Sequence, residues 1–223
     1  MSFLLRVMLP DTPGSLSQLT EALGIVDANI QSVDVVQVLP DGTAMDDIVV
    51  TLPAGTLPDT LISAAQQVPD VHVDSIRPFS GTVDRRGQVR MLAEFAEHRN
   101  NEVQALQALA DVLPRIMTSG WCVVMRNHAD RAERVAASAA APTDDGSTPH
   151  VPIDSARILN PEKEAWIPDG WALLDSALVG APVGETGLVL AVGRPGGPNY
   201  LASEVSHLGD VATVMGGILG VTG

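Results

Sequence analysis

The segment from residue 11 to residue 16 holds the residue types from which a small-molecule site could be built. It reads Asp11, Thr12, Pro13, Gly14, Ser15 and Leu16. A short apolar stretch precedes it and an amphipathic helical pattern follows it. Gly14 has no Cβ, so a ligand could approach the backbone closely there. The first N–H groups of a helix have no partner within the helix and attract anions. The segment therefore predicts a carboxylate site at the N–H groups of Gly14, Ser15 and Leu16.

A second polar group follows fifteen residues beyond Gly14, where Asn29 and Ile30 begin a predicted strand. The Asn29 amide offers a hydrogen-bond donor and an acceptor together. The Asp11 carboxylate could pair with an ammonium group. The two sets of groups would cover both ends of a zwitterion, so the sequence indicates a sensor of a small zwitterion rather than a catalyst.

The same residues have a purely structural interpretation. Thr12 is a favourable N-cap and Pro13 suits the first helical turn, and such caps occur on many helices that bind nothing. Asn29 could be a turn residue that tolerates a positive φ. Both interpretations stay open at the level of the sequence.

The first 76 residues parse as two helices and four strands in the order βαββαβ, the split-βαβ arrangement with both helices on one face of a sheet. The predicted elements are strand 3–9, helix 13–25, strand 30–39, strand 47–52, helix 57–68 and strand 71–76. Asp41-Gly42 is a hairpin turn signal. In the middle of strand 30–39 the apolar residues occupy every second position, and this apolar phase shifts by one residue between Val35 and Val36. The shift indicates a bulge or burial of both faces.

The polar, glycine-containing stretch after Pro78 predicts a linker at 81–88, with one domain at 1–80 and another at 89–223. The second domain is predicted to begin and end with helices. Its predicted helices are 89–99, 102–119, 129–141 and 202–219, and its predicted strands are 121–125, 171–179 and 188–192. Trp121 and Trp171 are expected in the core, and Trp166 is a candidate for lining a pocket or an interface.

The remaining reactive side chains do not form a recognisable catalytic or metal-binding pattern. The five histidines are scattered, and none has metal-ligand spacing to another or to Cys122, which is expected to be a core residue. Asp46 and Asp47 form a carboxylate pair that we expect to be solvated, and neighbouring strand residues point to opposite faces. No phosphate-binding loop is present, and Lys163 is the single lysine. We expect no cofactor, no metal and no enzymatic activity.

The chain of 223 residues has a formal net charge of −14, which disfavours binding to nucleic acid. Its apolar start is interrupted by Arg6, so no secretory signal is expected. The uncharged stretch from Val211 is too short to span a bilayer, and no basic amphipathic helix suggests a membrane surface. A single cysteine excludes an internal disulfide. These features predict a cytoplasmic protein without membrane or nucleic-acid partners.

Residues 3–76 resemble the ACT domain, a regulatory module of amino-acid metabolism. The resemblance lies in Asp11-x-Pro13-Gly14-x-Leu16, in Ala28-Asn29-Ile30 and in the βαββαβ order. It implies a ferredoxin-like fold that dimerises and binds an amino acid between protomers, near the first loop and the start of the second strand. The implied ligand-binding residues are Asp11, Thr12, Pro13, Gly14, Ser15, Leu16, Asn29 and Ile30.

Residues 89–220 resemble a GAF-type domain in their flanking helices, in the strand pair that closes on Gly193-Arg194 and in the final amphipathic helix. That resemblance implies small-molecule sensing or dimerisation and assigns no binding residue. Together the two resemblances predict an α+β protein that acts as a homodimeric amino-acid sensor without enzymatic activity. The alternative is a dimerisation and docking module for a partner enzyme or regulator, without a small-molecule ligand.

Overall fold

The chain forms two compact units, Met1–Val83 and Asp84–Gly223, which we call unit 1 and unit 2. The computed structural model describes residues 1–79, 85–98, 100–144, 146 and 148–220. Each unit has one antiparallel sheet with helices packed against it, so the predicted α+β class is confirmed. Over the described ranges, no helix combines the length and the apolar character that crossing a membrane requires.

Unit 1 has the predicted βαββαβ order. Its elements are β1 (Ser2–Pro10), α1 (Ser15–Ile25), β2 (Asn29–Val38), β3 (Thr43–Thr51), α2 (Asp59–Ala65) and β4 (His72–Pro78). The strands lie in the order β2-β3-β1-β4, and every neighbouring pair is antiparallel. The two edges of this sheet are therefore β2 and β4.

Alternate residues of the central strands build the core of unit 1. Val7 of β1 and Ile48 of β3 lie in one apolar cluster with Leu19 and Leu23 of α1 and Leu61 of α2. Both helices therefore cover the same face of the sheet. The register of β2 against β3 shifts at Val35, as the apolar phase predicted. Because the Val35 side chain is 61% exposed, the shift reflects a bulge rather than burial of both faces.

Local turn chemistry moves several boundaries in unit 1. The Asp41-Gly42 turn is tight, with Gly42 at a φ of 84°, so β3 begins at Thr43, four residues earlier than predicted. The second helix begins only after Pro58, and Leu57, the first residue of the predicted helix, is 69% exposed. Proline fixes φ for a helix start and leaves the preceding residue outside the helix.

Unit 2 begins with two helices and ends with one, as predicted. Its elements are α3 (Arg85–Glu97), α4 (Glu102–Ile116), β5 (Trp121–Asn127), β6 (Ala132–Ala137), β7 (Arg157–Leu159), a 3-10 turn (Asp169–Trp171), β8 (Ala177–Pro182), β9 (Leu188–Arg194) and α5 (Ala202–Gly220). The five strands lie in the order β6-β5-β9-β8-β7.

Two segments of unit 2 were predicted wrongly. Residues 129–141, predicted as a helix, contain β6, because pairing with β5 overrides the helical preference of its alanines. The strand predicted at 171–179 begins only at Ala177. Leu174 and Asp175 have φ angles of 59° and 51°, a left-handed conformation that a strand does not contain.

The sheet of unit 2 has an apolar core on each face, which explains its nearly continuous apolar strands. The core beneath the helices includes Cys122 and Val124 of β5, so the prediction for Cys122 is confirmed. The opposite core includes Trp121 and Val123 of β5 and Trp171. Trp171 is a core residue as predicted, although it belongs to the 3-10 turn rather than to a strand.

Candidate functional site

The start of α1 has no side-chain cap. Gly14 occupies the N-cap position with a φ of 99°, and α1 begins at Ser15. Thr12, predicted to be the N-cap, lies in the preceding turn, where its carbonyl accepts the N–H of Ser15 at 3.2 Å. The Thr12 and Ser15 hydroxyl groups form a hydrogen bond of 2.8 Å with each other. The left-handed turn at Gly14 thus replaces the predicted threonine cap.

The backbone donors at this helix start differ from the predicted set of Gly14, Ser15 and Leu16. The Ser15 N–H is occupied by Thr12, and the Gln18 N–H donates to the Gly14 carbonyl at 3.1 Å. Within the described residues, the N–H groups of Leu16 and Ser17 have no acceptor. Together with the helix dipole, they offer an anion two hydrogen bonds.

The loop before α1 is exposed and is anchored by its backbone. Asp11, Thr12, Pro13 and Gly14 are exposed, whereas Leu16 packs partly against the core. The Asp11 N–H donates to the Gly42 carbonyl at 2.8 Å, which joins the loop to the β2–β3 turn. The Asp11 carboxylate thus lies at the surface, beside the start of α1.

Asn29 lies at the opposite end of the unit 1 sheet. It pairs with Thr51, which pairs with Ser2 at the beginning of β1, whereas Asp11 follows the end of β1. Eight residue steps of strand separate the two ends, roughly 26 Å. One chain therefore does not bring Asn29 to the start of α1. Asn29 is exposed and belongs to β2, and the left-handed residue before it is Asp27 with a φ of 57°.

Ile30, the other predicted site residue of β2, is partly buried against the core of unit 1. Its side chain therefore serves packing. The two predicted groups of residues remain separate within one chain, and a shared site requires a second copy.

The carboxylate pair Asp46-Asp47 is not solvated, contrary to the sequence-based expectation. The two side chains do point to opposite faces, as predicted. Asp47 accepts two hydrogen bonds from the buried guanidinium of Arg6, at 2.7 and 2.8 Å. Asp46 lies in phase with Ile48 on the face that carries the helices, and it is 3% exposed. The alternation of β3 was the signal that could have revealed this burial.

The Asp46 carboxyl has an unusual environment. Its Oδ1 atom is buried and has no hydrogen-bond partner. Burial raises the pKa of Asp46 above its ordinary value, and the charges of Asp11 and Asp47 raise it further. A buried polar atom without a partner is uncommon in folded proteins and calls for an explanation.

Unit 2 contains an aromatic cluster on the sheet face opposite its helices. The ring centroids of Trp121 and Trp171 are 5.7 Å apart, and those of Trp166 and Trp171 are 6.2 Å apart. The Nε1 atom of Trp171 is buried without an acceptor. Trp166 donates from Nε1 to Glu164 at 3.0 Å, so this partly buried ring is held in place by a carboxylate.

The Arg157–Glu164 ion pair next to this cluster gives a pH-dependent prediction. Hydrogen bonds from Arg157 lower the pKa of Glu164 from its ordinary 4.5 to about 2. Because the folded-state pKa lies below the unfolded one, the stabilisation is complete above pH 4.5 and is lost as the pH falls towards 2. We therefore expect Glu164→Gln to lower the free energy of unfolding at pH 7, with a difference from wild type that shrinks below pH 4.5.

Urea unfolding at a series of pH values measures this difference. Glu133→Gln is the matched control, since Glu133 pairs with His128 but is 60% exposed. Its effect should be small at every pH. A Glu164→Gln effect that stays constant down to pH 3 would contradict the assignment.

The described residues do not bring a reactive group into a catalytic arrangement that we can identify. Cys122 is fully buried and burial raises the pKa of its thiol, which keeps it neutral and unreactive. Over the described ranges, no group of three or more histidine, cysteine, aspartate or glutamate residues could hold a metal ion. The groups that stand out are suited to binding: free N–H donors, a buried carboxyl and an aromatic cluster.

Comparison with known proteins finds only distant similarity to this chain. No protein-family model matches it, and no curated protein matches it. Among solved structures, a GAF domain of an Acinetobacter phosphoenolpyruvate-protein phosphotransferase is 14% identical, with 60% of this chain and 94% of that chain covered and a TM-score of 0.45. Free methionine-R-sulfoxide reductase from Neisseria meningitidis is 12% identical, with coverages of 65% and 96% and a TM-score of 0.46.

The chromophore-binding domain of a bacteriophytochrome from R. palustris is similar over the whole chain. It is 13% identical, with 100% of this chain and 95% of that chain covered and a TM-score of 0.41. Because every one of these TM-scores is below 0.5, we infer no ligand, activity or site residue from these structures.

Proposed function

We propose that the protein is a non-enzymatic, cytoplasmic amino-acid sensor in which unit 1 is an ACT-type domain that binds its ligand between two copies of the chain. The observation that carries the proposal is the start of α1. Gly14 turns the chain there in a left-handed conformation, and the N–H groups of Leu16 and Ser17 have no acceptor within the described residues. A free carboxylate would satisfy both donors.

Asn29 would complete the site from a second copy of the chain. Asn29 is exposed at the end of the sheet opposite Gly14, so its amide can contribute to the same ligand only from a second copy. In a symmetric dimer each interface residue is present twice, and one ligand per protomer results. Asp11, beside the start of α1, would pair with the ligand's ammonium group.

Unit 2, which we take to be GAF-like, would transmit or integrate the signal of ligand binding to unit 1. The mechanism is linkage: a ligand that bridges two protomers stabilises the dimer by its differential affinity for the paired state. The same free energy is then available to shift the conformational equilibrium of unit 2. The N–H groups of Leu16 and Ser17, which have no acceptor among the described residues, support a role in binding.

Thermal unfolding in the presence of each of the twenty amino acids tests this proposal. A ligand at 100 times its dissociation constant adds about 2.7 kcal/mol of stability to the state that binds it. We expect a clear rise in melting temperature with one amino acid or one chemical class. If no amino acid at millimolar concentration raises the melting temperature, the sensor function is wrong.

A second candidate function is a dimerisation and docking module without a ligand. It is favoured by β2, an edge strand that exposes Val35 and Val38, 61% and 53% accessible respectively. Unpaired edge strands are templates for pairing with another chain. Sedimentation with and without amino acids separates the two functions, because a ligand-free module dimerises equally well in both conditions.

A further inference from the structure

We propose that the ligand of unit 1 carries a second positive charge, on its side chain, and that the Asp46 carboxylate binds this charge. The inference rests on the proposed function and specifies its ligand class as amino acids with a cationic side chain. The α-carboxylate of such a ligand would lie at the N–H groups of Leu16 and Ser17. Its side chain would extend towards β3.

The first support is a buried carboxyl oxygen that has no hydrogen-bond partner. Asp46 is 3% exposed, and its Oδ1 atom has no hydrogen bond. A buried carboxylate oxygen without a partner is costly in the charged form of the group. A cation delivered by a ligand would remove that cost. The Asp46 carboxylate would then have an ion-pair partner only in the ligand-bound state.

The second support is the position of Asp46 relative to α1. It pairs with Val7, three residues before the end of β1 and about 10 Å along the strand from it. Its side chain is on the face that α1 covers, and the Asp11 charge from the loop before α1 acts on it. Asp46 also pairs with the exposed Val35 of the edge strand, so it lies at the rim of the core. Lysine carries its positive charge at the end of a flexible four-carbon stem, and we take it as the probe of this inference.

The third support is the distribution of positive charge in unit 1. Residues 1–80 contain ten acidic side chains and two arginines, and neither α1 nor α2 contains a basic residue. Arg6 binds Asp47 on the opposite face of the sheet. Arg77 pairs with Leu4, in phase with Arg6 and therefore on that same opposite face. Among the described residues of unit 1, no arginine or lysine is thus available to Asp46 from the helix side, and the local field favours a cation.

Binding of lysine and of norleucine to the full-length protein, measured by titration calorimetry, tests this inference. Norleucine has the same α-amino acid groups and an apolar side chain of similar length. We expect lysine to bind at least about tenfold more tightly than norleucine, as is typical for a charge-assisted interaction. Asp46→Asn should abolish this preference. Asp74→Asn, which removes an exposed carboxylate from the same unit, should preserve it.

Equal affinity for lysine and norleucine in the wild type, or a preference that persists in Asp46→Asn, would overturn the inference. The wild-type comparison needs no variant, so equal affinity would overturn the inference even if Asp46→Asn does not fold. Binding of neutral amino acids alone would leave the sensor function intact and reject the role of Asp46. Failure of every amino acid to bind would reject both.

Discussion

Replacing Gly14 by aspartate is expected to weaken amino-acid binding by more than about a hundredfold while the protein remains folded. The added carboxylate would lie where the ligand's carboxylate binds, and like charges brought together cost several kcal/mol. A Cβ at Gly14 would meet no atom within 4 Å, so the fold has room for the side chain. The left-handed φ of 99° adds a cost of about 1 kcal/mol to stability, since aspartate tolerates this region better than most residues.

Two variants separate charge from shape in this experiment. Gly14→Asn has the same side-chain size and backbone strain without the charge, so its binding should lie between those of the wild type and Gly14→Asp. Gly24→Asp adds the same charge near the other end of α1, where a Cβ also has open space, and should bind like the wild type. Titration calorimetry with the amino acid identified by thermal unfolding measures all three. Wild-type affinity in Gly14→Asp would show that the ligand lies elsewhere.

Arg194→Met is expected to destabilise unit 2 by about 3–5 kcal/mol, because it removes one partner of a buried ion pair. Arg194 is 1% exposed and its Nη2 atom donates to Glu204 at 2.6 Å and to the Met117 carbonyl at 2.8 Å. Its Nε atom donates to the Thr118 carbonyl at 3.2 Å, and its guanidinium lies 4.1 Å from the Tyr200 ring centroid. The residue therefore joins the end of β9, the end of α4 and the start of α5.

Arg126→Met is the matched control for this prediction. Arg126 also pairs with a glutamate, Glu102, but the two side chains are 36% and 47% exposed, and such a pair is worth less than about 1 kcal/mol. All three tryptophans of the chain belong to unit 2, so tryptophan fluorescence during urea unfolding reports on this unit alone. Equal losses of stability in Arg194→Met and Arg126→Met would contradict the assigned role of Arg194.

Unit 1 was predictable from sequence because its signals are local. The Asp41-Gly42 turn fixes a hairpin, and the shift in apolar phase at Val35 marks a bulge that the register confirms. Helical spacing in α1 defines its buried face. The βαββαβ order follows from these features without knowledge of long-range contacts.

The parts that were missed depend on tertiary contacts or on backbone detail. Residues 132–137 become an edge strand only because β5 pairs with them, and alanine-rich composition does not encode that pairing. At the start of α1, a threonine and a glycine compete for the cap, and the positive φ of Gly14 decides the outcome. Only the structure shows that the Ser15 N–H is occupied.

The candidate site was predicted in its parts but not in its arrangement. The loop 11–16 and Asn29 were both identified from residue type and spacing. The sheet register then places them at opposite ends of one chain, so that only a dimer could unite them. Asp46 was assigned to solvent because acidic pairs are usually exposed, although its phase with Ile48 pointed to the buried face.

The most direct test of the central claim is a crystal structure of the protein soaked with a mixture of amino acids. We expect density for one amino acid per protomer, with its carboxylate within hydrogen-bond distance of the N–H groups of Leu16 and Ser17 and with Asn29 of a second copy beside it. The contradictory result is a start of α1 that the protein's own side chains close in the soaked crystals, with no cavity where two copies meet.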